Sequence, residues 1–172
     1  FWLGQLAYDQ NDFNTAQPLF ELYRDYCMEM NRLEPENTDG KIELYNALSV
    51  IGTLYLRQQR YDVAKTAFQS SLSKTNQLLL KYPNNSLMHS DKVNALLWLT
   101  TTGEHRGNLE ATILLLEEGQ EIIQQALISE GNNANLLERL AYLHWRQAIL
   151  LDYQNAYSQA YIYISKASET LK

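Results

Sequence analysis

Apolar positions along the chain recur at three- and four-residue steps, the spacing that lines one face of an α-helix. From Asp39 to Gln58 the stripe runs through Ile42, Tyr45, Leu48, Ile51, Gly52 and Tyr55. A second runs through Tyr61, Ala64, Phe68, Ser71, Thr75 and Leu78 and stops at Pro83. Between them Gln59-Arg60 predicts a short turn. Equivalent turns are predicted at Gln10-Asn11-Asp12, Arg106-Gly107-Asn108 and Gln154-Asn155-Ala156, with Asn or Asp available to cap the following helix. The pattern therefore predicts helical hairpins, each of two helices of about 20 residues and roughly 30 Å.

The hairpins repeat. Pro35, Pro83 and Gly131 stand 48 residues apart, in the contexts Glu34-Pro35-Glu36-Asn37, Tyr82-Pro83-Asn84-Asn85 and Glu130-Gly131-Asn132-Asn133. The same step links the small residues Gly4, Gly52, Thr100 and Ala148, and also Ala16, Ala64, Thr112 and Ala160. Large residues keep the register in the columns Phe13, Tyr61, Leu109, Tyr157 and Phe20, Phe68, Leu116, Ile164. Copies thus fall at about 1–36, 37–84, 85–132 and 133–172 without an insertion, some 3.5 repeats read as a single repeat domain. A lone hairpin cannot cover its own apolar face, so neighbours must stack, and the expected fold is an all-α superhelix of the solenoid type.

Composition narrows the chemistry. The 172 residues carry 14 Lys+Arg against 20 Asp+Glu, a formal charge of -6 with no basic cluster to offset it, which disfavours nucleic acid and anionic membrane as partners. No apolar run approaches the roughly 20 residues that span a bilayer. The one cysteine, Cys27, excludes an internal disulfide and reads as a small buried hydrophobe; it fits a cytosol and is compatible with an exported or periplasmic chain. Starting at Phe1-Trp2-Leu3-Gly4, without an initiator Met, the chain reads as a segment of a longer protein.

The second copy, Leu48-x2-Ile51-Gly52-x2-Tyr55-x8-Ala64-x3-Phe68-x2-Ser71, resembles the tetratricopeptide repeat at each spacing. The first copy (Leu3-Gly4-x2-Ala7-x8-Ala16-x3-Phe20) and the fourth (Ala148-x2-Leu151-x8-Ala160-x3-Ile164-x2-Ala167) follow it. The third, with Leu99-Thr100-x2-Gly103 and Thr112, follows it least. The departure is length: the family's repeat is about 34 residues, and seven more per helix adds two turns while shifting the apolar stripe by only ~20°. Such elongated repeats resemble those appended to bacterial signalling proteins, receptor kinases and transcription regulators among them.

The resemblance implies a protein or peptide partner in a concave groove lined by the first helices. Carried over by spacing, the groove positions are Asn46, Ser49, Thr53, Leu56 and Arg57 in the second copy. In the third they are Asn94, Leu97, Thr101, Glu104 and His105, and in the fourth Tyr142, Trp145, Ile149, Asp152 and Tyr153. The first copy contributes Phe1, Gln5, Tyr8 and Asp9. One subclass of the family grips a terminal carboxylate with Lys, Arg and Asn, but this set holds one cation, Arg57, against three acids. Each position has a structural alternative. Tyr142 and Trp145 either anchor a peptide or seal the stack, Asn46 and Asn94 either meet a ligand or bridge helices, and Trp2 and Trp98 read as packing residues. His144 and Gln147, in columns held elsewhere by Leu48 and Leu96 and by Ile51 and Leu99, read as a loosened edge.

Catalytic and metal-binding patterns are not found in the sequence. His89, His105 and His144 share no helical face with another ligand, and neither a Gly-rich phosphate loop nor a Gly-x-Ser-x-Gly elbow occurs. Acid pairs such as Glu117-Glu118 and Glu34-Glu36 read as solvated, and Asn84-Asn85-Ser86, although a glycosylation pattern, reads as a helix cap. The expectation is a non-enzymatic interaction scaffold without cofactor or metal. The alternatives are self-association through the exposed ends and small-molecule sensing by the groove.

Overall fold

The computed structural model describes residues 1–131 and 133–171. Asn132, in the third expected inter-copy junction, and Lys172, which closes the fourth copy, lie outside the described residues. Among the described residues the chain is all-α, with eight helices and no strand: α1 (Trp2–Asp9), α2 (Phe13–Leu33), α3 (Thr38–Arg57), α4 (Tyr61–Lys81), α5 (Ser86–His105), α6 (Leu109–Glu130), α7 (Ala134–Tyr153) and α8 (Tyr157–Thr170). The register holds to the residue. Helices α2, α4, α6 and α8 start 48 residues apart, as do α3, α5 and α7.

Two kinds of junction, each recurring at that step, explain where helices stop. Inside the hairpins, Asn11, Gln59, Gly107 and Asn155 take φ of 60°, 60°, 73° and 60°, the left-handed conformation that ends a helix and reverses the chain. Between hairpins, Asn37, Asn85 and Asn133 cap α3, α5 and α7, their side chains accepting from the N–H groups of Gly40, of Met88, and of Asn135 and Leu136. Asp12 and Asn108 cap α2 and α6 as expected. The second and fourth turns differ, and Arg60 starts α4 without a side-chain cap. Asn155 occupies the left-handed position, its side chain accepts from the Tyr157 hydroxyl at 2.7 Å, and Ala156 starts α8 without a side-chain cap.

The chain forms two compact units, Phe1–Pro83 and Asn84–Lys172, each holding two hairpins. In the first, α1 packs on α2, α2 on α3 and α3 on α4; in the second, α5 packs on α6, α6 on α7 and α7 on α8. The closest approach within a hairpin is set by the small and large columns. A Cβ on Gly4 would lie 2.8 Å from the Phe20 ring, and one on Gly52 only 2.5 Å from the ring of Phe68. Both rings are fully buried, so neither can give way. In the second unit the large column holds the smaller Leu116 and Ile164, and the small column widens to Thr100 and Ala148. Thr75, Thr100 and Thr112 are buried with their hydroxyls satisfied, each donating to a carbonyl four residues back, at 3.1, 2.8 and 2.7 Å.

The seam between α2 and α3 joins Cys27, Leu44 and Ala47, flanked by Tyr23 and Leu48, and the Asn31 amide donates to the Cys27 carbonyl on its own helix (2.9 Å) and across the seam to the Gly40 carbonyl (2.6 Å). Burial, and then nearby Glu43, push the Cys27 thiol above its ordinary pKa. In the second unit Val93, Leu116, Ile123, Leu136, Leu140, Leu143 and Leu150 form the core. Full burial of each such side chain contributes about 1.5–3 kcal/mol. The tryptophans depart from expectation: Trp2 and Trp98 are exposed, and Trp2 stands edge-on to the Phe1 ring at 5.0 Å.

The Gly52–Phe68 contact yields a direct test. Gly52→Ala should destabilise the first unit by about 1–3 kcal/mol in urea denaturation, despite the better helix propensity of alanine. Adding Phe68→Leu, which copies the larger-against-smaller pairing of the second unit, should recover part of that loss.

Candidate functional site

In the first unit the sequence-predicted groove residues are largely tied to their own hairpins. On α3, Ser49 Oγ lies 2.8 Å from Ser71 Oγ on α4, and the Ser71 hydroxyl donates to the Tyr45 carbonyl at 3.0 Å. The Thr53 hydroxyl donates to the Val50 carbonyl at 2.7 Å. Asn46 and Leu56 are half-buried on the same helix. Arg57 is exposed, donates to the Asn11 side chain and lies 5.8 Å from the ring centres of both Tyr8 and Phe13. Gln5 donates to Asp9 at 2.9 Å. Against α1 and α2 lies an apolar cavity of about 360 Å³ whose lining includes Phe1, Trp2, Leu19, Leu22, Tyr23 and Tyr26.

In the second unit two arginines of α7, neither in the predicted set, gather the polar members of that set on α5. Arg139 donates to Asn94. Arg146 donates to Glu104, with which it forms an ion pair, and at 3.4 Å to Thr101, whose own hydroxyl donates to the Leu97 carbonyl. Leu97 packs against the core. Asn94 therefore bridges neighbouring helices, the structural alternative open to it in the sequence. Arg139 and Asn94, and likewise Arg146 and Thr101, stand 45 residues apart, about one turn short of the 48-residue step, which is the signal that could have found them.

Beyond this polar seam α7 presents aromatic surface. Tyr142 is 41% and Trp145 43% exposed, their ring centres 5.5 Å apart, and Arg146 reaches the Tyr142 hydroxyl at 3.3 Å. Ile149 is half-buried, and Asp152 and Tyr153 are exposed at the end of the helix; His105 is exposed at the end of α5.

The polar columns of α7 are not a loosened edge. Gln147 is buried, accepts from Gln120 and donates to Glu117 at 3.2 Å, so its amide is satisfied inside the α6–α7 seam. His144 is 95% buried, at 5% exposure. No cluster of three or more His, Cys, Asp or Glu able to hold a metal is found among the described residues, and none of their helices is long and apolar enough to cross a membrane.

No family model matches the chain, and no curated protein matches it in sequence. Among solved structures, BtubC (BKLC) from P. vanneervenii superposes with a TM-score of 0.73 at 18% identity, over 96% of this chain and 58% of that one. The chain thus spans little more than half the length of BtubC. MamA gives a TM-score of 0.39 at 14% identity, covering 98% of this chain and 94% of its own. A MamA RS-1 ArsTM double mutant gives 0.27 at 15%, covering 88% and 93%. The chain shares the fold of BtubC, an all-α helical repeat.

The α5–α7 seam makes a further prediction. Glu104→Ala leaves the mostly buried Arg146 guanidinium without its anion and should destabilise the second unit by about 1–3 kcal/mol. Arg146→Ala should cost a similar amount. The double variant should lose clearly less than the two single losses together in chemical denaturation, and strict additivity would mean that the pair is uncoupled.

Proposed function

We propose that this chain is a non-catalytic scaffold of the tetratricopeptide type, in an elongated form, that binds a peptide or protein segment on the first-helix surface of its second unit. The observation that carries the reading is the run Tyr142, Trp145, Ile149 and Tyr153 on α7, its three aromatic members exposed and Ile149 half-buried among them. These positions follow one another at three- and four-residue steps and extend for roughly 16 Å of helix. The polar neighbours Asn94, Thr101 and Glu104 are already bonded within the unit, which leaves recognition to rigid aromatic side chains, the residues that anchor partners most strongly. The resemblance of the elongated repeat supports reading such a scaffold as the adaptor or sensory region of a larger bacterial signalling protein.

Peptides selected on the protein from a random phage-displayed library test this. Replacing Tyr142 and Trp145 together by Ala should weaken the selected peptides at least about tenfold in calorimetric titration, with helical circular dichroism unchanged. Undiminished affinity would move the site off α7.

A second reading, self-association, is favoured by a different observation. Leu3 and Leu6 on α1 are 72% and 56% exposed, whereas their register equivalents Ile51, Leu99 and Gln147, and Leu54, Thr102 and Leu150, are buried. Ile164 on α8 is 43% exposed, whereas Phe20, Phe68 and Leu116 in its column are fully buried. The first hairpin of one copy offers the kind of face that the last hairpin of another leaves uncovered, a heterologous contact. Sedimentation should then show a mass that rises with concentration and falls back on Leu6→Lys. A monomer at all concentrations would eliminate this reading.

A further inference from the structure

His144 differs from Gln147 and from the buried Thr100, Thr102 and Thr112 of the second unit, whose side chains are all hydrogen-bonded. It stands on α7 in a column that holds Leu48 and Leu96 in earlier copies, and its Nδ1 is buried without a hydrogen-bond partner. Its ring centre lies 5.9 Å from that of Tyr163 on α8, tilted by 54°, and the ammonium of Lys166 sits 4.5 Å from the centre of the same Tyr163 ring. The charged groups on the helices packed around this part of α7 offer no compensation. Lys166 of α8 repels a charge on the imidazole, Glu117 of α6 accepts from Gln147 one turn further along, and Glu104 of α5 is held by Arg146. The site is built for the neutral ring.

We propose that His144 makes the packing of α8 on α7 acid-sensitive: a proton on its ring sets a second cation against Tyr163 beside Lys166, at a buried place with no acceptor at Nδ1, and α8 opens from α7. Burial first, and Lys166 second, hold the imidazole pKa below its ordinary value of 6.5. The opened state therefore takes up the proton before the closed state does. Stability of the closed hairpin is intact above about pH 6.5 and is lost as pH falls below it, by up to tenfold in the opening equilibrium per unit. Opening bares the apolar columns of α7 that α8 covers, so the device would couple acidity to the surface available for partners.

Amide hydrogen exchange of the whole chain at pH 7.5 and 5.5, with rates corrected for the intrinsic pH dependence of exchange, tests the proposal. Protection along α8 should fall at the lower pH, by up to about tenfold, while α4 in the first unit keeps its protection. His144→Leu, which restores the residue of the earlier copies, should abolish the difference. Equal protection of α8 at both pH values, or the same fall in His144→Leu, would overturn the proposal. Should that variant fail to fold, NMR titration of the His144 ring in the unaltered chain decides: a midpoint below 6.5 that moves together with α8 amide shifts supports it, and a midpoint at or above 6.5 contradicts it.

Discussion

Where the two helices of the second hairpin cross, the ring of Phe68 fills the space that a missing Cβ leaves at Gly52, and Phe20 does the same over Gly4. That close approach fixes the depth and rotation of one helix on the other. It also fixes which residues remain on the outside of the first helix to meet the next hairpin. Since core packing tolerates little change in volume, the two columns vary together: Leu116 and Ile164 go with Thr100 and Ala148. The four copies are thus one packing solution written with two sets of sizes.

The fold was legible because its determinants are local and periodic. The 48-residue step places helix starts to the residue, and the capping asparagines Asn37, Asn85 and Asn133 lie at that step. The turn chemistry was only partly legible. Asn155 looked like a cap and is instead the left-handed residue of its turn, because an Asn serves either role and only the backbone decides between them. Trp2 and Trp98, which share a column 96 residues apart, read as packing residues, although a shared column does not fix which flank of a helix a neighbour will cover.

The candidate surface was legible as a set of columns but not as a pattern of bonds. Spacing put Asn94, Thr101 and Glu104 on one side of α5 without showing that Arg139 and Arg146 would engage them. What this leaves open to a partner is aromatic. Inside the α6–α7 seam the Gln147 amide is satisfied, whereas the buried His144 Nδ1 is not. Gln147, a single turn away, shows that this protein can bury an amide in an apolar column when a partner is supplied, which makes the unpartnered imidazole a feature of that position rather than of the helix.

One hairpin, 48 residues long, is repeated in strict register. Backbone NMR assignment tests it most directly, because chemical shifts and scalar couplings report both helix limits and the sign of φ. Uninterrupted helix between the junctions is expected, with a positive φ at Asn11, Gln59, Gly107 and Asn155. Helices that run through those four positions, or breaks displaced from the 48-residue step, would contradict it.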